Sequence, residues 1–238
     1  DISGNDNTGA AYVFPRRGNT WGPEGGVGPG EGTHERLGTA VSMSGGRVAV
    51  GDPRADVGGP DRGSVWILQR ATTGGYRLVK ILTASNGDDY DHFGSSVALD
   101  QDTLVVGSPE ADVYHFPAGD ETDQGRAYVF SRNRGGADAW GELEKLTASD
   151  GEELDRFGCA VGISGDMLVV GANGDDSRTG GAYVFARNRG GKDDWGQVGK
   201  LVGSGVETNG QFGTSVSISG DTVVVGAHTN SVSPYNLQ

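Results

Sequence analysis

A single cysteine, Cys159, stands in 238 residues, so no internal disulfide can staple this chain. Basic residues are scarce: 19 lysines and arginines face 32 aspartates and glutamates, for a net charge of −13. That balance argues against nucleic acid as a partner, because phosphate contacts need a basic surface, and against anionic membranes. Long hydrophobic runs are missing, and with them any membrane-inserted helix; no signal peptide or lipidation motif is read either. No apolar stripe at helical spacing appears, which removes a helical bundle. The hydrophobic share is only 34% and is dominated by valine, as suits many short strands carrying exposed loops. The acidity itself fits plain solubility, or a cation-rich or saline exterior.

Glycine is what the chain has in quantity, with 44 residues. The glycines sit at fixed places in a repeat. One copy reads Gln211-Phe212-Gly213, an alternating run, a turn at Ser219-Gly220-Asp221, then Val223-Val224-Val225-Gly226-Ala227. Earlier copies start at Arg156-Phe157-Gly158, His92-Phe93-Gly94 and Arg36-Leu37-Gly38, with the paired glycines roughly 56, 64 and 55 residues apart. A period of that size signals a propeller, solenoid or array.

Each copy spells a four-stranded antiparallel meander. In the first, Thr39–Met43 and Arg47–Val50 flank Ser44-Gly45-Gly46, a hairpin signal. Ser64–Leu68 and Tyr76–Thr83 complete the sheet. The second copy repeats this with Val97–Leu99, Thr103–Gly107, Ala127–Phe130 and Trp140–Thr147, and the third with Val161–Ile163, Met167–Gly171, Ala182–Phe185 and Trp195–Val202. Such a sheet cannot bury both faces alone, and radial stacking of four-stranded units is the propeller solution. Tyr12, Tyr128 and Tyr183 alternate with Phe14, Phe130 and Phe185, so they share one sheet face and are expected to fill the gap to the adjacent blade. Trp21, Trp140 and Trp195 recur at the start of the fourth strand and are expected in packing rather than on a sugar platform.

The fold class is therefore all-β, a β-propeller of four-stranded antiparallel blades with four repeat units, three whole and one split between the two ends of the chain. The division is a half-blade at 1–35, blades at 36–91, 92–155 and 156–210, and a half-blade at 211–238. The chain opens in mid-pattern, as a processed product or an excerpt would. Joined, its two end pieces would make a shared blade and remove open edges.

Phe-Gly, a strand pair, and Gly-Ala or Gly-x-Pro together resemble the FG-GAP repeat of integrin α-subunit propellers, and the bacterial extracellular versions more closely still. The residues carrying the resemblance are Phe93-Gly94 with Gly107-Ser108-Pro109, Phe157-Gly158 with Gly171-Ala172-Asn173, Phe212-Gly213 with Gly226-Ala227-His228, and Leu37-Gly38 with Gly51-Asp52-Pro53. The resemblance implies a β-propeller, most often seven-bladed. With four units visible, the readings are a complete small ring, an excerpt of a larger one, or an open unit completed by another chain. Integrin-type repeats often carry a calcium loop between the first two strands. The equivalent loops here are turn-sized and cannot wrap a cation that needs six to eight oxygens.

Two acidic blade-to-blade loops are the candidate calcium ligands instead: Asn86, Asp88 and Asp91 in one, Asp150, Glu152 and Asp155 in the other. Against this, Asn-Gly and Asp-Gly also make turns, with the acids solvated or capping amides. A second set of acidic loops holds Asp52, Asp56 and Asp61, and Asp112, Asp120 and Asp123. Catalysis has little support. His34, His92, His115 and His228 form no triad pattern, and their count and spacing with Cys159 exclude a His/Cys metal quartet. His115 beside Tyr114 is the best lone candidate base, and Cys159 reads as a buried small residue.

The expected function is a non-catalytic extracellular or cell-surface module, bacterial in style, for adhesion, recognition or scaffolding of a protein or glycan ligand on exposed loops. One alternative is a polysaccharide-binding or lyase-like polysaccharide-degrading propeller. Another is a fibre or ring subunit that self-associates head to tail through the split blade.

Overall fold

The computed structural model describes residues 9–22, 25–28, 36–72, 74–115, 119–189 and 191–229. In chain order, β1 (Ala11–Val13) pairs antiparallel with β4 (Gly25–Val27), and β2 (Arg16–Arg17) with β3 (Thr20–Trp21) form a small hairpin between them. The first whole sheet is β5 (Ala40–Ser44), β6 (Arg47–Asp52), β7 (Ser64–Arg70) and β8 (Tyr76–Leu82). The second is β9 (Ser96–Asp100), β10 (Thr103–Ser108), β13 (Arg126–Ser131) and β14 (Gly141–Leu146), with a side hairpin of β11 (Val113–His115) and β12 (Gly119–Glu121) in its long loop. The third is β15 (Phe157–Ser164), β16 (Met167–Ala172), β17 (Gly181–Arg187) and β18 (Trp195–Leu201), and β19 (Phe212–Ser219) with β20 (Thr222–Ala227) closes the series. Helix is limited, among the described residues, to one distorted turn at Asp175–Arg178.

The first two strands of each unit meet at a two-residue turn, as in Ser44↔Arg47 and Asp100↔Thr103. These turns need a left-handed residue, supplied by Gly45, Gly165 and Gly220, and by Gln101 at φ 50 in the second unit. The outer pair repeats a bulge at Ile67/Leu68, Val129/Phe130 and Val184/Phe185, which adds twist at the edge of each sheet. The first strands touch one another in succession, β5 to β9, β9 to β15 and β15 to β19. They are the innermost strands of the stack, as their content of small residues leads one to expect.

Seams between sheets hold the core. Ala49, Val65 and Ile67 of the first sheet pack with Val97, Leu99, Tyr128 and Phe130 of the second. Val105, Ala127 and Val129, on the second sheet's other face, pack with Phe157, Tyr183, Phe185 and partly buried Val161 and Ile163 of the third. The expectation that the Tyr/Phe face fills the inter-blade gap holds for the two whole units that carry it. Phe93 is fully buried, edge-on to Tyr128 at 5.3 Å and to Phe130 at 5.9 Å; Phe157 repeats this with Tyr183 at 5.5 Å and Phe185 at 6.0 Å. Leu37 takes the same place in the first unit, against Trp66 and Leu68.

The glycines of the repeat are spacers between sheets. A Cβ on Gly107 would overlap the carbonyl of Gly158, and Gly51 and Gly171 stand the same way against Gly94 and Gly213. A polar bond repeats at the turn end: Ser44 Oγ accepts from Gln101 N–H at 3.0 Å, Asp100 Oδ2 from Gly165 N–H at 2.8 Å, and Ser164 Oγ from Gly220 N–H at 3.0 Å.

One expectation changes. Trp140 and Trp195 are 2% exposed, in the seams, whereas Trp21 is 69% exposed on β3 and does not start the strand that pairs with β1. The partner strand is β4, because the Arg16–Trp21 stretch folds back on itself. The two end half-units pack on different sheets, as halves of a blade lying between the first and third sheets would. Ala11 of β1 joins Leu37, Val48 and Trp66, while β19 and β20 cover Val169 and Val184. Among the described residues no ladder joins β1 to β20. In consequence Val41 and Met43 of β5 are 61% and 63% exposed, although the equivalent Val97 and Leu99 are buried, and Val224 of β20 is 65% exposed where Val169 is buried.

Candidate functional site

Each sheet has a turn end and a loop end. At the loop end the connection between units runs beside the loop from second to third strand. Backbone bonds fix the two together: His92 N–H to Asp61 O, Phe93 N–H to Arg62 O, Arg156 N–H to Asp123 O, Phe157 N–H to Gln124 O, Gln211 N–H to Arg178 O and Phe212 N–H to Thr179 O. His92, Arg156 and Gln211 are thus equivalent positions, and so are Asp61, Asp123 and Arg178. His92, Arg156 and Gln211 have φ of 53, 56 and 53, so the left-handed turn belongs to the frame of these three seams. Only the side chains vary.

The six candidate calcium ligands lie on this end, but the fold does not turn them toward one point. Asp91 Oδ2 accepts from Asp88 N–H at 2.9 Å and Asp155 Oδ2 from Glu152 N–H at 2.8 Å. Both aspartates are buried, at 4% and 3% exposure, and burial pushes each carboxyl up to about 6. Asn86 Oδ1 accepts from Tyr128 Oη at 3.3 Å, and Asp150 binds Lys200 Nζ at 3.0 Å. Asp88 and Glu152 contribute their backbone amides, with exposed side chains. Asn86, Asp91, Asp150 and Asp155 thus each direct an oxygen to a separate partner, and among the described residues no group of three or more His, Cys, Asp or Glu is placed to hold a metal ion. The donor set does not fit calcium's demand for six to eight oxygens. The second acidic set behaves likewise: Asp56 accepts from Asp61 N–H at 2.9 Å and Asp112 from Asp123 N–H at 3.0 Å, while Asp52 is fully buried and the side chain of Asp120 lies outside the described set.

The histidines are scattered. His34 and the side chains of Tyr114 and His115 lie outside the described residues, with His115 placed on β11. His92 is clamped between acids, Nδ1 against Glu110 and Nε2 3.7 Å from Asp61. Asp123 belongs to the same neighbourhood. Its carboxyl is raised by burial and by Glu110 and Asp112, and lowered by Arg156 and His92. Cys159 is partly buried, its Sγ 3.4 Å from the carbonyl of Gly213, and burial pushes its thiol up to about 11, so it is an inert packing residue.

Sequence reading missed the ion cluster in the third unit. Lys200 Nζ lies 2.8 Å from Asp175, 3.0 Å from Asp150 and 3.7 Å from Asp176, and stands over the Tyr183 ring. Burial opposes the ammonium, but bonds to Asp175, Asp150 and Tyr183 outweigh it and raise the lysine. Asp175 is itself raised by burial, with Lys200 pulling the other way. The available signal was the lysine two residues from the end of β8 and one from the end of β14 and β18, which reads as an ordinary exposed charge until the distorted turn at Asp175–Arg178 folds over it.

A family model described as FG-GAP repeat matches residues 76–130, 140–185 and 195–234. No curated protein matches the chain. Among the described residues no helix is long and apolar enough to cross a membrane. With three matches over more than half of its length, and with the Phe-Gly and Gly-Ala positions meeting across each seam, the chain belongs to the FG-GAP repeat family, a β-propeller module.

Proposed function

We propose that this chain is a non-catalytic extracellular or cell-surface recognition module that presents a loop end on a rigid frame. One observation carries the reading. Residues that recur between units, Phe93 with Phe157 and Gly107 with Gly171, are packed in seams, whereas equivalent loop-end positions carry unlike groups, His92, Arg156 and Gln211. A constant scaffold with varied exposed loops is the usual arrangement for binding. The test is a glycan and extracellular-matrix protein array, repeated with a chain whose loop-end charges are neutralised. Binding lost only in that chain supports the reading. Turnover of uronate oligomers, seen as unsaturated product, would replace it with the lyase-like alternative.

A second reading has its own observation. Exposed Val224 on one end face matches exposed Val41 and Met43 on the other, and the three internal seams bring equivalent residues together. We infer head-to-tail self-association, with Val223 opposite Phe14 and Val225 opposite Tyr12 by the register of β16 with β17. Light scattering on wild type and on Met43→Asp decides it. Concentration-dependent assembly lost in the variant supports it, and a monomer at all concentrations removes it.

A further inference from the structure

We propose that the cavity between the second, third and last units binds the anionic group of an acidic saccharide, a uronate carboxylate or a sulfate ester. The proposal rests on the recognition reading above and gives it a ligand class. The cavity, of about 120 Å³, is lined by Leu154, Arg156, Asn173, Gly174, Arg178 and Gln211.

Comparison with the preceding seam carries the argument. There, Glu110 closes on His92, and Asp123 stands beside them. One unit later the equivalent of Glu110, counted from Gly107 and Gly171, is Gly174, and the equivalent of Asp123 is Arg178. One carboxylate has become a glycine and the other an arginine. A side chain at Gly174 would strike the carbonyl of Leu154, so this space is kept open. Arg156 and Arg178 line it; Asp123 interacts with Arg156 from the neighbouring loop, and among the described residues neither arginine has a carboxylate within salt-bridge distance. Two guanidinium groups on one recess give it a local attraction for anions on a molecule of net charge −13. Guanidinium groups match planar carboxylates and sulfates through paired N–H donors.

The neighbouring amides choose the carrier. Asn173 Oδ1 is buried without a hydrogen-bond partner, and Gln211 lines the same cavity. An orphaned acceptor beside an anion-binding pair suits a ligand that places a hydroxyl next to its charge, as uronic acids and sulfated sugars do. A simple carboxylate leaves that acceptor unmet.

The experiment is a titration at low salt, followed by amide chemical shifts. The probes are galacturonate, N-acetylglucosamine 6-sulfate, neutral galactose and blocked N-acetyl-aspartate amide. Galacturonate or the sulfated sugar is expected to shift the Gly174 and Gln211 amides, with galactose silent and binding weakened by salt. Arg178→Gln and Arg178→Asp, both at an exposed position, should weaken binding at least tenfold with unchanged thermal melting. Uronate against sulfate ester separates the two anion sources. Shifts from the aspartate probe alone would overturn the saccharide assignment in favour of an acidic peptide. No shift at Gly174 or Gln211 with any probe, or equal binding by the Arg178 variants, would overturn the site. If array ligands still bind those variants, the recognition reading stands without this pocket; if the array is blank and the pocket titrates, the pocket stands alone.

Discussion

Asp155 and Glu152 close a turn on themselves: the buried Oδ2 of Asp155 accepts the backbone N–H of Glu152 at 2.8 Å. Asp91 does the same for Asp88 at 2.9 Å, one unit earlier. These loops look like cation ligands in one dimension and are capped turns in three. Five measurable consequences follow from this, from the ion cluster and from the seams.

The buried carboxyls set a pH dependence. Each rises from 3.8 to about 6 on folding, chiefly through burial. Between about pH 4 and 6 the unfolded chain has released these protons while the folded chain keeps them, so their contribution to stability falls as pH rises and is level above the window. In urea melts, Asp91→Asn should gain on wild type by about 1–2 kcal/mol between pH 4 and pH 7. A constant difference across that range would refute the assignment.

Calcium should matter little. With Asp91, Asp155 and Asp150 already committed, adding calcium or a chelator should leave Tm unchanged. A rise in Tm that saturates with calcium, and that Asp155→Asn abolishes, would show that the loops rearrange around the ion.

Lys200 holds acids that are costly to leave alone. Lys200→Met should destabilise the fold by about 2–4 kcal/mol, because Asp175 is 3% exposed and would lose its counter-charge. Asp175→Asn in the same chain should recover most of that loss. Additive costs in chemical denaturation would mean the pair is not coupled.

Gly107 and Gly226 are equivalent in sequence and differ in surroundings. A methyl on Gly107 meets the Gly158 carbonyl of the next unit, whereas on Gly226 the nearest atoms, among the described residues, belong to Ser215 of its own. Gly107→Ala should cost about 3 kcal/mol, and Gly226→Ala about 1 kcal/mol or less in the isolated chain. Equal costs would place another unit against Gly226, and size measurement on the same sample would reveal whether that unit is a second copy.

The core probe is Phe157, fully buried between Tyr183 and Phe185. Phe157→Ala should cost about 3–5 kcal/mol, and Phe157→Leu markedly less, since Leu37 fills the same place in the first unit. A small cost for Phe157→Ala would mean the seam is not the core.

Period, strand content and the face shared by Tyr128 and Phe130 were legible in the residues, because alternation along a strand and spacing between glycines are local quantities. So was the turn-sized gap at Ser164-Gly165-Asp166. Partners across a seam were not legible. Glu110 and Gly174, or Asp123 and Arg178, become comparable only when backbone bonds superimpose their units, and Asp91 reveals its role only when its carboxyl is seen turned inward. Trp21 misled because its Trp-Gly pattern matches the later units while its hairpin sends the chain elsewhere.

The sequence by itself determined that four-stranded units recur and must stack, since each sheet carries apolar residues on both faces and no unit can bury them alone. The tertiary structure alone decided which faces stay uncovered, which acids become buried caps, and where two arginines of the third unit line one cavity. Those outcomes depend on contacts between separate segments, such as His92 with Asp61 and Arg156 with Asp123, and no periodicity within a single strand encodes them.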